Sequence, residues 1–148
     1  MGPLNLPDFE LKIIKEDGKK RIFDQIRKKY VVLTPEEWVR QHFVNYLIHH
    51  LKYPKSLIRI ESGLQLNALQ KRSDVLIHKR DGKPWMLVEC KAPDIKLDRK
   101  CFNQALIYNM TLGAKFISVT NGMHHYCFHS KGQDQPPEFL QGLPSYED

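Results

Sequence analysis

A tight reversal of the chain at Asp81-Gly82 joins two short apolar segments, and it limits the fold more strongly than any other feature. Residues 75–77 and 85–88 are apolar at every position, and an Asp-Gly step between two such segments is a strong hairpin signal. Because strand side chains alternate between two faces, apolar residues at consecutive positions supply both faces. The sequence therefore predicts two central strands that are covered on both sides.

The register of this hairpin brings charged side chains together at its open end. A two-residue turn pairs Arg80 with Lys83, and counting outward then predicts that Asp74 lies opposite Glu89. Directly opposed residues have Cβ atoms about 4.5–5.5 Å apart, so two carboxylates there repel each other. Lys91 shares the strand face of Glu89 and offsets part of the repulsion, and a divalent cation would offset more. On spacing alone, a structural ion-pair cluster and a functional site explain these residues equally well.

Length, composition and charge bound the class of protein. The chain has 148 residues, 41% hydrophobic and 27% charged, which fits one globular domain with a full core. A net charge of +6 favours a polyanionic partner, although charge alone is a weak indication. We find no transmembrane span and no secretory signal, so we expect a cytoplasmic location and no membrane partner. Three cysteines without CxxC spacing argue against a disulfide framework and a zinc knot.

The pattern along the chain predicts an α/β fold with a mixed central sheet flanked by helices. We expect the order β-β-α-β-β-β-α-β-β, with an N-terminal β-hairpin in residues 11–23 and a strand over residues 57–61 before the central hairpin. Thr34 as N-cap and Pro35 predict a helix that ends near Leu51, and a second helix fits Asp98 to Leu112. The predicted parts are an N-terminal extension (1–30), a core (31–130) and an irregular C-terminal tail (131–148).

Polar residues of the second helix complete a recognisable motif set. Gln104 and Tyr108 are four residues apart and share one helix face, although two polar-tipped residues on one face are common by themselves. Together with Asp74 and Glu89-x-Lys91, in this order and spacing, they resemble the PD-(D/E)XK nuclease superfamily, in particular its RecB-like branch with a QxxxY helix. Ser73 stands where the superfamily name has proline, a position that is often not proline in this branch.

Segments 23–29, 33–40 and 119–122 extend this resemblance, which spans roughly residues 10 to 130. They are similar to the N-terminal domain of the restriction subunit of type I restriction enzymes and its short stand-alone relatives. The resemblance implies a restriction-endonuclease-like core. It also implies DNA as a partner, together with other restriction-system subunits or a second copy of the chain in a homodimer.

The resemblance also implies a catalytic site with a divalent metal, Mg²⁺ or Mn²⁺. Asp74, Glu89 and the backbone carbonyl of Cys90 would hold the ion, and hard cations of this kind prefer oxygen ligands. Lys91 would orient the attacking water and stabilise the negative transition state. Gln104 and Tyr108 would position Lys91, the carboxylate or the nucleic-acid backbone.

Glu37 and two sets of basic residues remain open between a functional and a structural role. Glu37 closes a capping box with Thr34, and related nucleases sometimes place a metal-binding Glu on this helix, so Glu37 is a secondary metal candidate. Four basic residues are candidate nucleic-acid contacts, and a solvated surface explains them equally well: Arg72, Lys96, Arg99 and Lys100. The basic run at residues 27–29 has the same two explanations.

The sequence as a whole predicts a metal-dependent nuclease that hydrolyses DNA phosphodiester bonds, namely an Mg²⁺-dependent endonuclease resembling the domain of a restriction subunit. The alternative is a non-catalytic nucleic-acid-binding or assembly module that retains the nuclease fold. Neither an ATPase phosphate loop nor a DNA-reading motif such as a helix-turn-helix is present in the sequence.

Overall fold

The computed structural model describes residues 1–60, 75–132 and 134–147. Two α-helices, α1 and α2, are Pro35–His49 and Arg99–Leu112. The strands of a first sheet, β1 to β3, are Ile13–Glu16, Lys19–Asp24 and Lys29–Val32. The strands of a second sheet, β4 to β9, are Ile58–Ile60, Val75–His78, Pro84–Cys90, Phe116–Thr120, His125–His129 and Glu138–Leu140.

The second sheet has six strands in the order β4-β5-β6-β7-β8-β9. Its pairs are antiparallel except for β6 and β7, which run parallel. A parallel pair needs a crossover connection, and α2 supplies it between these two strands. The predicted α/β fold with a mixed central sheet is therefore confirmed.

Capping residues determine where both helices begin and end. The hydroxyl of Thr34 accepts a hydrogen bond of 3.0 Å from the amide of Glu37, as the sequence predicts. Helix α1 ends at His49 rather than near Leu51, and the chain turns away at Lys52, whose φ is 60°. Helix α2 begins after Asp98, its N-cap, and ends at Gly113 in the left-handed conformation, so both predicted ends are close to those observed.

The central hairpin has the predicted register but a different turn. The amide of Lys79 donates to the carbonyl of Lys83 at 2.9 Å, so the loop has three residues rather than two. A bulge next to Ile77 compensates for the extra residue, and Val75 then pairs with Val88 as predicted. The two-residue turn is therefore wrong, although the register beyond it is right.

Two strands lie where the sequence did not predict them. The N-terminal hairpin gains a third strand, β3, which pairs antiparallel with β2. The tail that was expected to be irregular contains β9, which pairs antiparallel with β8 at the edge of the second sheet. Both strands are short and mostly exposed, so they lack the apolar alternation from which strands are predicted.

The core lies on both faces of the central hairpin, as predicted. On one face Val75, Ile77, Met86 and Val88 belong to a cluster that also contains buried residues of α1, and on the other face Leu76 and Leu87 cluster with Tyr108 of α2. The sheet is thus covered by one helix on each side. None of the helices within the described ranges combines the length and the apolar character needed to cross a bilayer.

A prediction concerns the N-terminal segment, which is fastened to the loop before β8. The amide of Asn5 donates to the carbonyl of Gly122 at 2.8 Å, and a Cβ on Gly122 would lie 2.8 Å from Leu4 Cδ2 and 3.1 Å from Val39 Cγ2. Since Gly122 also has a φ of 86°, we expect Gly122→Ala to lower the free energy of unfolding by about 1–3 kcal/mol. Urea denaturation measures this change.

The matched control is Gly18→Ala, because Gly18 has a similar φ of 76° and open space around its Cα. This variant reports the backbone strain alone. Equal losses of stability in the two variants would show that the contact with Leu4 and Val39 contributes nothing.

Candidate active site

Glu89 and Lys91 lie where β6 ends, on the face of the sheet that α2 covers. Side chains alternate along β6, so Glu89 shares its face with Leu87, which packs against Tyr108. The amide of Lys91 donates to the carbonyl of Thr120 at 2.8 Å, which continues the parallel pairing with β7 by one residue. The end of β6 is thus held by its neighbour, and the two charged side chains project from a fixed backbone.

The two side chains form an ion pair in a partly buried setting. Lys91 Nζ lies 3.4 Å from Glu89 Oε1, with side-chain exposures of 25% and 7%. A carboxylate with so little exposure is rarely found unless it is paired or coordinated. The side chain of Lys91 is more exposed than that of Glu89, so part of the lysine side chain faces solvent.

Helix α2 adds Tyr108 to the same face, as the motif spacing predicts. Tyr108 is 5% exposed, and its buried hydroxyl makes no hydrogen bond within the described part of the chain. Gln104 lies one turn earlier and is half-buried. Neither side chain hydrogen-bonds to Glu89 or Lys91 among the described residues. The structure nevertheless brings Tyr108 and the charged pair to the same face of the sheet.

Two sequence-predicted site residues, Asp74 and Arg72, lie outside the described residues. Cys90 has its side chain in the core on the opposite face, which leaves its backbone carbonyl as the group that could face a metal. Within residues 1–60, 75–132 and 134–147, no three side chains of His, Cys, Asp or Glu are grouped closely enough to hold a metal ion. A carboxylate beside a partly exposed lysine nevertheless supplies the oxygen donor that a hard divalent cation takes.

Glu37 takes part in a buried ion-pair cluster. Its amide bonds to Thr34 as the capping box requires, but Oε1 of its carboxylate accepts from Arg27 at 3.0 Å and from Arg40 at 2.7 Å. The other oxygen, Oε2, accepts from the amide nitrogen of Gln41 at 2.8 Å. A role for Glu37 as a metal ligand stays a prediction, and both of its oxygens have protein partners in this structure.

Asp24 is the central carboxylate of this cluster, and sequence reasoning missed it. Its Oδ2 accepts from Arg27 Nε at 2.6 Å and from Gln41 Nε2 at 3.0 Å, while Oδ1 accepts from the backbone amides of Ile26 and Arg27. Burial raises the pKa of the Asp24 carboxyl, but these hydrogen bonds and the Arg27 charge outweigh burial and lower the pKa below its ordinary value. Arg27, which the basic run suggested as a phosphate contact, is instead engaged with carboxylates.

The other predicted nucleic-acid contacts are on the surface. Lys96, Arg99 and Lys100 are exposed, and they lie in the segment that leads from β6 into the first turn of α2. They are therefore accessible to an anionic partner beside the chain segment that follows Lys91.

Buried amides are a second group that sequence reasoning missed. Gln41 and Asn45 on α1 are 2% and 6% exposed. Their spacing of four residues puts them on one stripe of the helix, and this polar stripe within a helix of buried residues is the signal that could have identified them.

Comparison with known proteins gives one family. The family model described as "Type I restriction enzyme R protein N terminus (HSDR_N)" matches residues 35–144. No curated protein sequence matched the chain significantly. The matched range includes α1, both strands of the central hairpin, α2 and the strands that follow, which is the part of the chain that forms the central sheet. The chain belongs to the family of type I restriction enzyme R protein N-terminal domains.

Proposed function

We propose that this protein is a metal-dependent nuclease that hydrolyses phosphodiester bonds in DNA. The observation that carries the proposal is the Glu89–Lys91 pair at the end of β6, with Nζ and Oε1 3.4 Å apart, on the sheet face that Tyr108 covers. A mostly buried glutamate side chain beside a more exposed lysine side chain supplies an oxygen ligand for a cation and a positive charge for a phosphate.

The donor set fits a divalent cation, Mg²⁺ or Mn²⁺. We propose Glu89, the carbonyl of Cys90 and Asp74 as its ligands, with Glu37 as a secondary candidate. Asp74 directly precedes β5 in the sequence. When bound, such an ion lowers the pKa of a water ligand and neutralises charge on the phosphate.

The side chains of the protein would orient the attacking water, stabilise the negative charge and position the bound groups. Glu89 holds the ammonium of Lys91 at the end of a strand whose backbone is fixed by Thr120. From this position Lys91 would orient the attacking water and stabilise negative charge that grows on the phosphate oxygens. A buried hydroxyl without a partner is unfavourable by about 1–3 kcal/mol, and this supports a role for the Tyr108 hydroxyl in positioning a bound group. Gln104, one turn away, would position the same group.

Basic residues around the site would hold the nucleic acid. We propose that Lys96, Arg99 and Lys100, with Arg72, contact backbone phosphates, and binding through such contacts weakens as salt rises. The family description names a restriction enzyme subunit, so we also propose other restriction-system subunits or a second copy of this chain as partners.

A cleavage assay tests the proposal. The purified protein is incubated with supercoiled plasmid DNA and Mg²⁺ or Mn²⁺, beside Asp74→Ala and a reaction containing EDTA. We expect nicked and linear products from the wild type, and loss of a metal-ligating carboxylate should lower the rate by at least about 100-fold. Asp17→Ala, which replaces an exposed turn carboxylate, is the matched control and should cleave like the wild type.

Two results would contradict the proposal. Cleavage that persists in Asp74→Ala would remove Asp74 from the site. If all proteins are folded but inactive with both metals, while DNA binding remains, the chain is the alternative, a non-catalytic module that binds nucleic acid or assembles with other subunits.

A further inference from the structure

A cavity of about 560 Å³ lies between the N-terminal segment, β2 and the second half of α1. Pockets of this volume are typical of small-molecule sites. Its lining includes two amides, two aromatic rings and two lysines: Gln41, Asn45, Phe9, Phe23, Lys12 and Lys55. All of them are separate from Glu89, Lys91 and Tyr108.

Asn45 supplies a side-chain amide to the lining of this cavity. It is 94% buried, and its amide makes no hydrogen bond within the described part of the chain. Its amide nitrogen and oxygen are not themselves fully buried, so they are open to water or to a ligand in the cavity. An amide offers one donor and one acceptor side by side, so its natural partner is a group that presents an acceptor and a donor in one plane.

Gln41 adds a fixed acceptor one turn earlier on the helix. Its nitrogen donates to the carboxylates of Asp24 and Glu37 at 3.0 and 2.8 Å. Since ionised carboxylates only accept hydrogen bonds, the nitrogen of the Gln41 amide must face them. The carbonyl oxygen of Gln41 is then available to accept a hydrogen bond from a ligand. This oxygen accepts no hydrogen bond from the described residues, and the side chain lines the cavity.

Aromatic rings and charges complete the lining. Phe9 and Phe23 are half-buried, and rings in such positions are surfaces on which nucleobases stack. Lys12 places its ammonium 5.6 Å from the centre of the Phe23 ring, and Lys55 lies elsewhere on the same lining. Asp8, also in the lining, supplies a carboxylate that could accept from sugar hydroxyls.

We propose that this cavity binds the adenine base of a nucleotide. Adenine presents an amine donor beside a ring-nitrogen acceptor, and a side-chain amide matches this pair with two hydrogen bonds. Asn45 makes those bonds, the fixed oxygen of Gln41 accepts from the exocyclic amine, and the base stacks against Phe9 or Phe23. Guanine fits less well, because it has an oxygen where adenine has the exocyclic amine, and this oxygen would then face the fixed oxygen of Gln41, which cannot donate. The lysines contact phosphate.

This site is separate from the Glu89–Lys91 pair, which lies on the other face of the central sheet. Its Gln41 does contact Glu37, the secondary metal candidate. The adenine could belong to a free nucleotide or to an unpaired residue at the end of a DNA strand. Both ligands present the same base to the cavity, so the experiment has to separate them.

Isothermal titration calorimetry of the full chain tests the proposal with adenosine 5′-monophosphate and inosine 5′-monophosphate. The second ligand has an oxygen in place of the amine, so it changes the recognised group without changing the protein. We expect adenosine monophosphate to bind at least about 10-fold more tightly. Asn45→Leu should weaken the binding of adenosine monophosphate by a similar factor. Asn103→Leu, which replaces an exposed asparagine on α2, should leave this binding unchanged.

The source of the base is tested with a DNA duplex that carries a single unpaired adenosine at its end and with the same duplex carrying an abasic residue there. Tighter binding of the adenosine duplex than of the free nucleotide identifies a strand end, and the reverse order identifies a free nucleotide. The proposal is overturned if neither adenine ligand binds at millimolar concentration. It is equally overturned if the inosine ligand binds as well as the adenosine ligand.

Discussion

Replacing Lys91 by methionine is expected to lower the rate of plasmid cleavage by about 10²- to 10⁴-fold, the range found when a group that transfers or orients a proton is removed. Methionine keeps most of the apolar stem of lysine, which is three-quarters buried, so packing changes little. The ammonium that lies 3.4 Å from Glu89 is lost, and with it the positive charge next to the proposed phosphate position. Cleavage is measured with Mg²⁺ well below the thermal unfolding temperature of the variant.

The matched control is Lys83→Met, which removes an exposed lysine in the hairpin loop that joins β5 to β6. It changes net charge by the same amount, and so corrects for the weaker attraction of DNA to a less basic protein. Equal rates for Lys83→Met and Lys91→Met would assign the whole effect to net charge. Full activity of Lys91→Met would exclude this lysine from the reaction.

Replacing Asp24 by asparagine is expected to lower the free energy of unfolding by about 3 kcal/mol, at the lower end of the range for breaking a buried ion pair. Asp24 is fully buried and accepts four hydrogen bonds, two from backbone amides and two from the side chains of Arg27 and Gln41. Asparagine has an NH₂ group in place of one carboxylate oxygen. It would therefore place an N–H donor against either the two backbone amides or the side chains of Arg27 and Gln41, which are donors themselves. Because this carboxylate joins β2 to α1, urea denaturation should show the loss across the whole domain.

The same residue gives the stability a defined dependence on pH. The pKa of Asp24 in the folded protein lies below its ordinary value of 3.8, so the carboxylate contributes stability that is fully present above that value. The contribution is lost as pH falls through the lower folded pKa. The difference in stability between wild type and Asp24→Asn should therefore be constant near neutral pH and shrink below about pH 4.

Asp17→Asn is the matched control for these measurements. Asp17 is exposed in the turn between β1 and β2 with a φ of 52°, a conformation that asparagine also tolerates. It should change stability little at any pH. A loss in Asp24→Asn no larger than in Asp17→Asn would show that the buried cluster does not hold the first sheet against α1.

Local patterns were sufficient for the elements that carry strong signals. Thr34, Asp98 and Gly113 mark helix ends in the sequence for local reasons. The side chains of Thr34 and Asp98 accept hydrogen bonds from backbone amides of the first turn, and Gly113 adopts the left-handed conformation that ends α2. The register of the central hairpin also followed from the pattern, although the loop is one residue longer than predicted. A compensating bulge restored the pairing, because a shift by one residue would have turned the apolar side chains of both strands to the wrong faces.

The candidate site was predictable in part, for a similar reason. Glu89 and Lys91 are two residues apart on one strand, so their shared face follows from strand alternation. Tyr108 reaches that face only through the crossover of α2 onto the sheet, and the motif order anticipated this. Asp74 lies outside the described residues, and its meeting with Glu89 stays a prediction.

The sequence by itself determined the start of both helices, the end of α2, the pairing of the central hairpin and the family, since each depends on residues that are neighbours in the chain or on a motif order. The tertiary structure decided the rest: β3 and β9 as strands, Arg27 as the partner of Asp24 and Glu37, and the cavity beside Asn45. The physical reason is that a buried charge or amide is assigned its partner by folding, which brings together groups that are far apart along the chain.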